Sequence, residues 1–175
     1  MTPSIKYLVL VAPLALVGCA EPDPDAPPTV LLGDSVCVQC NMIISDERWA
    51  TATVVEGPRG PEPLLFDDFN CQVNYEAEHP DRVVLTRWSR CHSSGEWMRT
   101  EDAHFLMSPN LRTPMGSMTA AFETEDAAGR TRSQLEGDVM TFEIAWKRLG
   151  FPGACCDAED CDETAQTSEA SHDTP

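Results

Sequence analysis

LLFDDFNCQVNYEA, Leu64 to Ala77, is the stretch that decides the fold. Leu64 to Phe66 reads as a short buried strand. Asp67-Asp68 puts a carboxylate where a helix start needs a cap, and Phe69 to Ala77 reads as a short helix stopped at His79-Pro80-Asp81. Upstream, the β-branched run Trp49 to Val55 (WATATVV) reads as a strand and GPRGPEP as the turn after it. Downstream, Arg82 to Trp88 makes a third strand, so the order is ββαβ. The same order then recurs: strand Ala103 to Met107, a proline-broken loop Ser108 to Gly116, strand Thr119 to Thr124, helix Glu125 to Leu135, strand Val139 to Phe142. Phe66 and Phe122, Pro58 and Pro114, Gly60 and Gly116, and Val83 and Val139 all stand at one offset of 56 residues. The fold class that follows is α+β, two fused ββαβ units packed together, because neither half alone can bury enough surface. Ile144 to Leu149 adds a short helix with Gly150 as its stop.

The ends are not core. Residues 1–18 have the parts of a secretory signal: Lys6, the apolar run Tyr7 to Leu16, and a small residue before the cut. Leu16-Val17-Gly18-Cys19 resembles the bacterial lipobox, in which Cys19 becomes the diacylated first residue. Ala20, rather than aspartate, follows Cys19, which favours the outer membrane by resemblance to enteric sorting rules. Residues 19–35 are then a lipidated cysteine and a proline-rich tether, EPDPDAPP, with too little apolar surface to fold. Residues 36–92 hold the first unit, 93–150 the second, and 151–175 an acidic, cysteine-containing tail without apolar periodicity. Twelve basic against 29 acidic residues give a formal charge of -17, and loss of Lys6 with the signal makes it -18. Nucleic acid is thereby excluded as a partner, and a cation suits the surface better than an anion. Eight cysteines imply disulfides in an exported protein, yet setting Cys19 aside leaves seven, which cannot all pair internally.

The chemistry lies in Cys37-Val38-Gln39-Cys40-Asn41-Met42, three sulfur side chains within six residues. Thiolate and thioether ligands at low coordination number suit Cu(I). Structural zinc wants a second knuckle that the sequence lacks, and a thioredoxin-like pair sits at a helix mouth after a strand, whereas this motif precedes one. A tight Cys37–Cys40 disulfide is the remaining rival. Thr113-Pro114-Met115-Gly116-Ser117-Met118 supplies two more thioethers in a backbone-constrained loop, though methionine there also serves as a gap-filler, Met118 above all. Asp67 and Asp68 are read as a cap, Cys71 as a small buried hydrophobe, Cys91-His92 as a surface thiol and solvated histidine on a loop, and the four tryptophans as packing. No nucleophile, base and orienter set is visible.

CVQCNM, FDDFNC at Phe66 to Cys71, the stretch near Trp97 and TPMGSMTAAF at Thr113 to Phe122 together resemble the NosL family of nitrous oxide reductase accessory lipoproteins. The resemblance runs from Val36 to Trp146. It implies a non-enzymatic Cu(I) metallochaperone, lipid-anchored on the periplasmic face of the outer membrane. Its implied partners are nitrous oxide reductase, whose copper-sulfide centre receives the metal, and an ABC-type maturation machine. It also implies ββαβ units similar in topology to part of organomercurial lyase, and metal positions at Cys37, Cys40, Met42 and Met115, with Met118 as a further candidate. Asn41 and Met118 depart from the family, standing where glycine is common. The alternatives are a thiol redox or organomercurial-lyase-like enzyme, and a disulfide-held structural lipoprotein. Cys155, Cys156 and Cys161 stay open between a second metal-capturing segment and a disulfide clasp.

Overall fold

The computed structural model describes residues 23–150; the signal, Cys19 and the tail from 151 onward lie outside the described residues. The chain runs β1 (Thr51–Gly57), β2 (Gly60–Phe66), α1 (Phe69–Glu78), β3 (Val84–Arg90), β4 (Trp97–Arg99), β5 (His104–Met107), β6 (Thr119–Phe122), α2 (Glu125–Leu135), β7 (Asp138–Thr141) and α3 (Phe142–Gly150). It is the α+β fold expected. Two antiparallel sheets form, ordered β2-β1-β3-β4 and β6-β5-β7. In each, the first strand of a ββαβ set lies between its second and third. The 56-residue offset also reaches the caps: Asp68 and Thr124 are the N-caps of α1 and α2, and 124 minus 68 is 56.

Edges differ from the sequence expectation where local signals are weak. β3 begins at Val84 rather than Arg82, and β7 stops at Thr141 because Phe142 opens α3. β4 was not anticipated: three residues paired to the end of β3 (Trp88 with Arg99, Arg90 with Trp97) are too few to show alternation. The tether is not free throughout. Asp23 to Ala26 forms a turn, Thr86 Oγ1 donates to the Pro24 carbonyl at 2.8 Å, and Arg99 pairs with Asp25 at 3.2 Å. A proline-rich segment needs no apolar surface of its own when side chains of the sheet bind its carbonyls and carboxylates.

β1 is the central strand of the first sheet, and its first five residues are buried because both sheet faces are covered. On one face Val55, Leu64 and Phe66 pack with Cys37 and Cys71; on the other Ala52 and Val54 pack with Trp88, Leu65 and Trp97. Gln72 fastens α1 to β1, its amide donating to the Ala52 carbonyl at 2.9 Å and to Thr53 Oγ1 at 3.0 Å. The opposite side of α1 belongs to the second unit, where Phe69 and Val73 join Phe105, Ala121, Met140 and Ala145 in one core, with Phe69 and Phe105 stacked 4.5 Å apart. α1 is thus shared between the units. Arg87 strengthens the seam, its guanidinium paired with Glu76 of α1 at 2.6 Å and Glu101 at 3.0 Å while lying 5.0 Å from the Trp146 ring. α2 covers the other face of the second sheet through Ala128, Leu106, Ala120 and Phe122. Among the described residues no helix is long and apolar enough to cross a membrane.

The β2 ladder has one further feature. Pro61, Pro63 and Leu65 share one parity along the strand; Pro61 and Pro63 lack an N–H, and the Leu65 carbonyl accepts from Val38 N at 3.0 Å.

Glu136 and Gly137 turn the chain from α2 into β7, Gly137 with φ 110°. A Cβ there would fall on the Met107 carbonyl and the Ser108 backbone. Gly137→Ala is expected to cost about 2 kcal/mol or more, read as a lower denaturant midpoint at unchanged m-value; an unchanged midpoint would show the turn to be slack.

Candidate metal centre

CVQCNM is closed on itself before the first sheet begins. Val36 bridges Ile43, Cys37 N–H donates to the Met42 carbonyl at 2.9 Å, and Asn41 N–H returns to the Cys37 carbonyl at 2.9 Å. The loop turns at Asn41, whose φ is 61°. Asparagine tolerates this left-handed region better than other non-glycine side chains. The hairpin seats on β2 through Val38, which carries Cys37 into the first core at 0% exposure and leaves Cys40 half-buried.

Cys71 and Asp67 come to the same place from the start of α1. One ligand atom from each of Cys37, Cys40, Asp67 and Cys71 lies within 4.8 Å of all the others. Two sulfurs bound to one ion at about 2.3 Å can stand at most about 4.6 Å apart, so small side-chain shifts suffice to close this set on a metal. Asp67 Oδ1 accepts from the Cys40 thiol at 3.5 Å and lies 3.4 Å from Cys71 Sγ, whose one S–H Asp67 and Cys37 compete for. All three sulfurs, and Cys91 elsewhere, are free thiols, so the tight Cys37–Cys40 disulfide is not formed. The reading of Cys71 as a mere small hydrophobe is corrected: it is buried, but among sulfurs. Its spacing held the signal, since Asp67 and Cys71 are four apart and share a face at the helix start.

The three thiols are not equivalent. The Cys71 S–H directed at Cys37 brings the Cys37 pKa down to about 6, against the upward push of burial. Cys71, whose proton that bond holds, moves up. Burial, followed by the hydrogen bond and charge of Cys37, pushes Cys40 up to about 11. Near neutral pH the cluster therefore carries one thiolate, at Cys37, and two thiols.

The methionine loop is fastened to the same helix start. Asp68, 1% exposed, caps Phe69 N and also accepts from Thr113 Oγ1 (2.7 Å), Met115 N (2.9 Å), Ser117 N (3.2 Å) and Ser117 Oγ. Asn70 donates to the Met115 carbonyl at 2.9 Å. Asp68 is thus the cap, while Asp67 belongs to the thiol cluster. Met42, Met115 and Met118 are displayed outward at 54%, 37% and 43% exposure, so Met118 fills no gap. Its φ is 52°, with its N–H bonded to Thr113 Oγ1 and its carbonyl to Ser108 N. Cys91 and His92 are not on an exposed loop: Cys91 is buried, bridged to Ala121, and His92 lies between Trp49 and Phe122, where burial pushes its pKa down. Trp49 and Trp88 are buried as expected, and Trp97 and Trp146 half-buried.

The NosL family model matches residues 28–147. This chain belongs to the NosL family. The fold agrees with the crystal structure of the copper chaperone NosL from Shewanella denitrificans at a TM-score of 0.57 and 14% identity, over 70% of this chain and 96% of that one. No curated protein matches the sequence at a significant level. Asn41 and Met118 both occupy left-handed backbone that favours glycine.

Two outcomes follow for stability. Asp68→Ala leaves the Ser117 and Met115 donors without their acceptor and is expected to cost about 3 kcal/mol or more, with hydrogen-exchange protection lost at Met115 and Ser117 before the rest of the fold. Met118→Gly relieves about 1 kcal/mol of left-handed strain and should raise the denaturation midpoint; a fall would mean that the side chain, not the backbone, sets the stability there.

Proposed function

We propose that this protein is a non-enzymatic Cu(I) metallochaperone, tethered by a lipid on Cys19 at the periplasmic face of the outer membrane. It delivers copper for the copper-sulfide centre of nitrous oxide reductase, beside an ABC-type maturation machine. The observation that carries the copper reading is the closeness of Cys37, Cys40 and Cys71 at the helix start that also holds the methionine loop. Two cysteine sulfurs with a thioether suit a soft monovalent ion, and the exposed thioethers offer exchangeable ligands that an oxidising compartment leaves intact. The fold likeness to a copper chaperone, the family resemblance and the lipobox support the remaining parts of the reading.

In this reading Cys37 receives the ion as a ready thiolate, Cys40 follows as the metal displaces its proton to solvent, and Met115 completes the set from the loop, with Met42 and Met118 at the rim. Cys71 keeps its proton and holds Cys37 ionised. Asp67, a hard oxygen donor, orients the thiols and is not a ligand.

Anaerobic titration with Cu(I) against a competing chelator tests the assignment. Asp67→Asn is expected to weaken binding about 10- to 100-fold, as loss of an outer-shell partner does. Cys37→Ser and Cys40→Ser should weaken it more, and Met115→Ala measurably. Equal binding by all four variants and the parent would end the proposal.

The ionisation pattern gives a second test. Cys37 is already a thiolate above about pH 6, so metal uptake by Cys37 and Cys40 should release about one proton at about pH 8 and about two at about pH 5. Calorimetry in buffers of different ionisation enthalpy reads this number; two protons at both values would place no thiolate in the free site.

One observation favours a second reading, an organomercurial-lyase-like enzyme: the Asp67 carboxylate between two thiols is a proton relay beside a soft nucleophile. Turnover of an alkylmercury compound with release of the alkane would establish it, and stoichiometric binding without turnover would exclude it.

A further inference from the structure

Both main-chain groups of Met115 are held by the start of α1. Its N–H donates to Asp68 Oδ2 at 2.9 Å, and its carbonyl accepts from the Asn70 side-chain amide at 2.9 Å. Among the described residues the Asn70 side chain makes no other hydrogen bond, its Oδ1 being buried without a partner. Met118 is held at one remove: its N–H donates to Thr113 Oγ1 at 3.1 Å, and that hydroxyl donates to Asp68 Oδ2 at 2.7 Å. The loop has little else to fix it. Gly116 and Met118 carry it through left-handed backbone, with φ 74° and 52°, and the Met115 and Met118 side chains are exposed rather than packed. Asp67 and Cys71, from the same helix start, belong to the thiol cluster. One turn of helix therefore carries two members of that cluster and grips the peptide of one methionine at both ends.

We propose that Asp68 and Asn70 are the positioning residues of the copper site, holding Met115 so that its thioether, rather than that of Met118, joins Cys37 and Cys40 on one ion. The inference rests on the copper reading of the thiol cluster. Neither residue touches the metal. The Asp68 oxygens are occupied by main-chain and hydroxyl donors, and Asn70 presents its amide to a carbonyl. Their effect is to order the loop before the ion arrives; a ligand on an unfixed loop loses part of its binding free energy to that ordering.

The test uses the reduced full chain, labelled with 13C in its methionine methyl groups and titrated anaerobically with Cu(I) against a chromophoric chelator. The variants are Asn70→Ala, Asp68→Asn, Met115→Ala, the pair Asn70→Ala with Met115→Ala, and the cluster double Cys37→Ser with Cys40→Ser. The Met115 methyl resonance, assigned by its loss in Met115→Ala, is expected to shift when the parent takes up Cu(I). In Asn70→Ala that shift should shrink and affinity fall about 10-fold, as for a group that orients a ligand, while the resonance of buried Met140 stays at its parent position. Met115→Ala should bind as weakly as the pair, because the clamp acts only through Met115. Asp68→Asn should lose at least as much as Asn70→Ala; where it fails to fold, Asn70→Ala, which keeps the helix cap, decides alone. Parent affinity with a full Met115 shift in Asn70→Ala or in folded Asp68→Asn would overturn the proposal. So would a parent without any Met115 shift, or a pair weaker than Met115→Ala by the whole Asn70 factor. A Met115 shift in the cluster double as large as the parent's would instead remove the copper reading of the cluster.

Discussion

A buried carboxylate is tolerated only when its oxygens are occupied, and Asp68 meets that condition with donors from both halves of the chain. One bond caps the helix of the first ββαβ set, and four reach the loop of the second. Neither half can satisfy Asp68 alone. The hydrophobic contacts of α1 repeat the pattern, since Gln72 and Cys71 face the first sheet while Phe69 and Val73 face the second. The start of α1 is therefore the fixed point to which the thiol hairpin, the methionine loop and both cores are referred. Sulfurs from three distant stretches of sequence are thereby referred to one helix start without needing a rigid loop.

The cluster's electrostatics follow from the same crowding. Burial resists charge on every thiol, yet one thiolate is stabilised because a neighbour donates its S–H to it. Leu31, Leu32, Val36, Val38, Met42 and Ile43, on the thiol hairpin and the segment leading into it, are exposed on a chain that is otherwise strongly acidic.

The parts of the fold legible in the sequence were those marked by residues with few alternatives. Strand, capping aspartate and helix at Leu64 to Ala77, repeated 56 residues on, gave the architecture because caps and β-branched runs act locally. β4 was hidden because three edge residues carry no period, and the docking of Pro24 and Asp25 because it depends on partners more than 60 residues away. Cys91 reads as a loop thiol until the parallel bridge to Ala121 is known, and that bridge joins the two sheets. At the site, spacing identified Cys37 and Cys40, and the methionine loop was singled out for its sulfurs. Cys71 was missed since a helical cysteine is usually plain packing; only the hairpin folding over β2 makes it otherwise. The glycine positions filled by Asn41 and Met118 are visible in the sequence as departures, but their shared left-handed backbone is visible only in three dimensions.

The outer side of β2 sets a condition on how this molecule meets others. An exposed strand edge invites another chain to extend the sheet, and such complexes are held by main-chain bonds that are slow to undo. Here Pro61 and Pro63 offer no donor, and Val38 has already taken the Leu65 carbonyl. A visitor to the thiol hairpin finds along that edge no donor from Pro61 or Pro63 and the Leu65 carbonyl already taken, so a sheet extension there is weakened. An encounter of that kind is brief by construction.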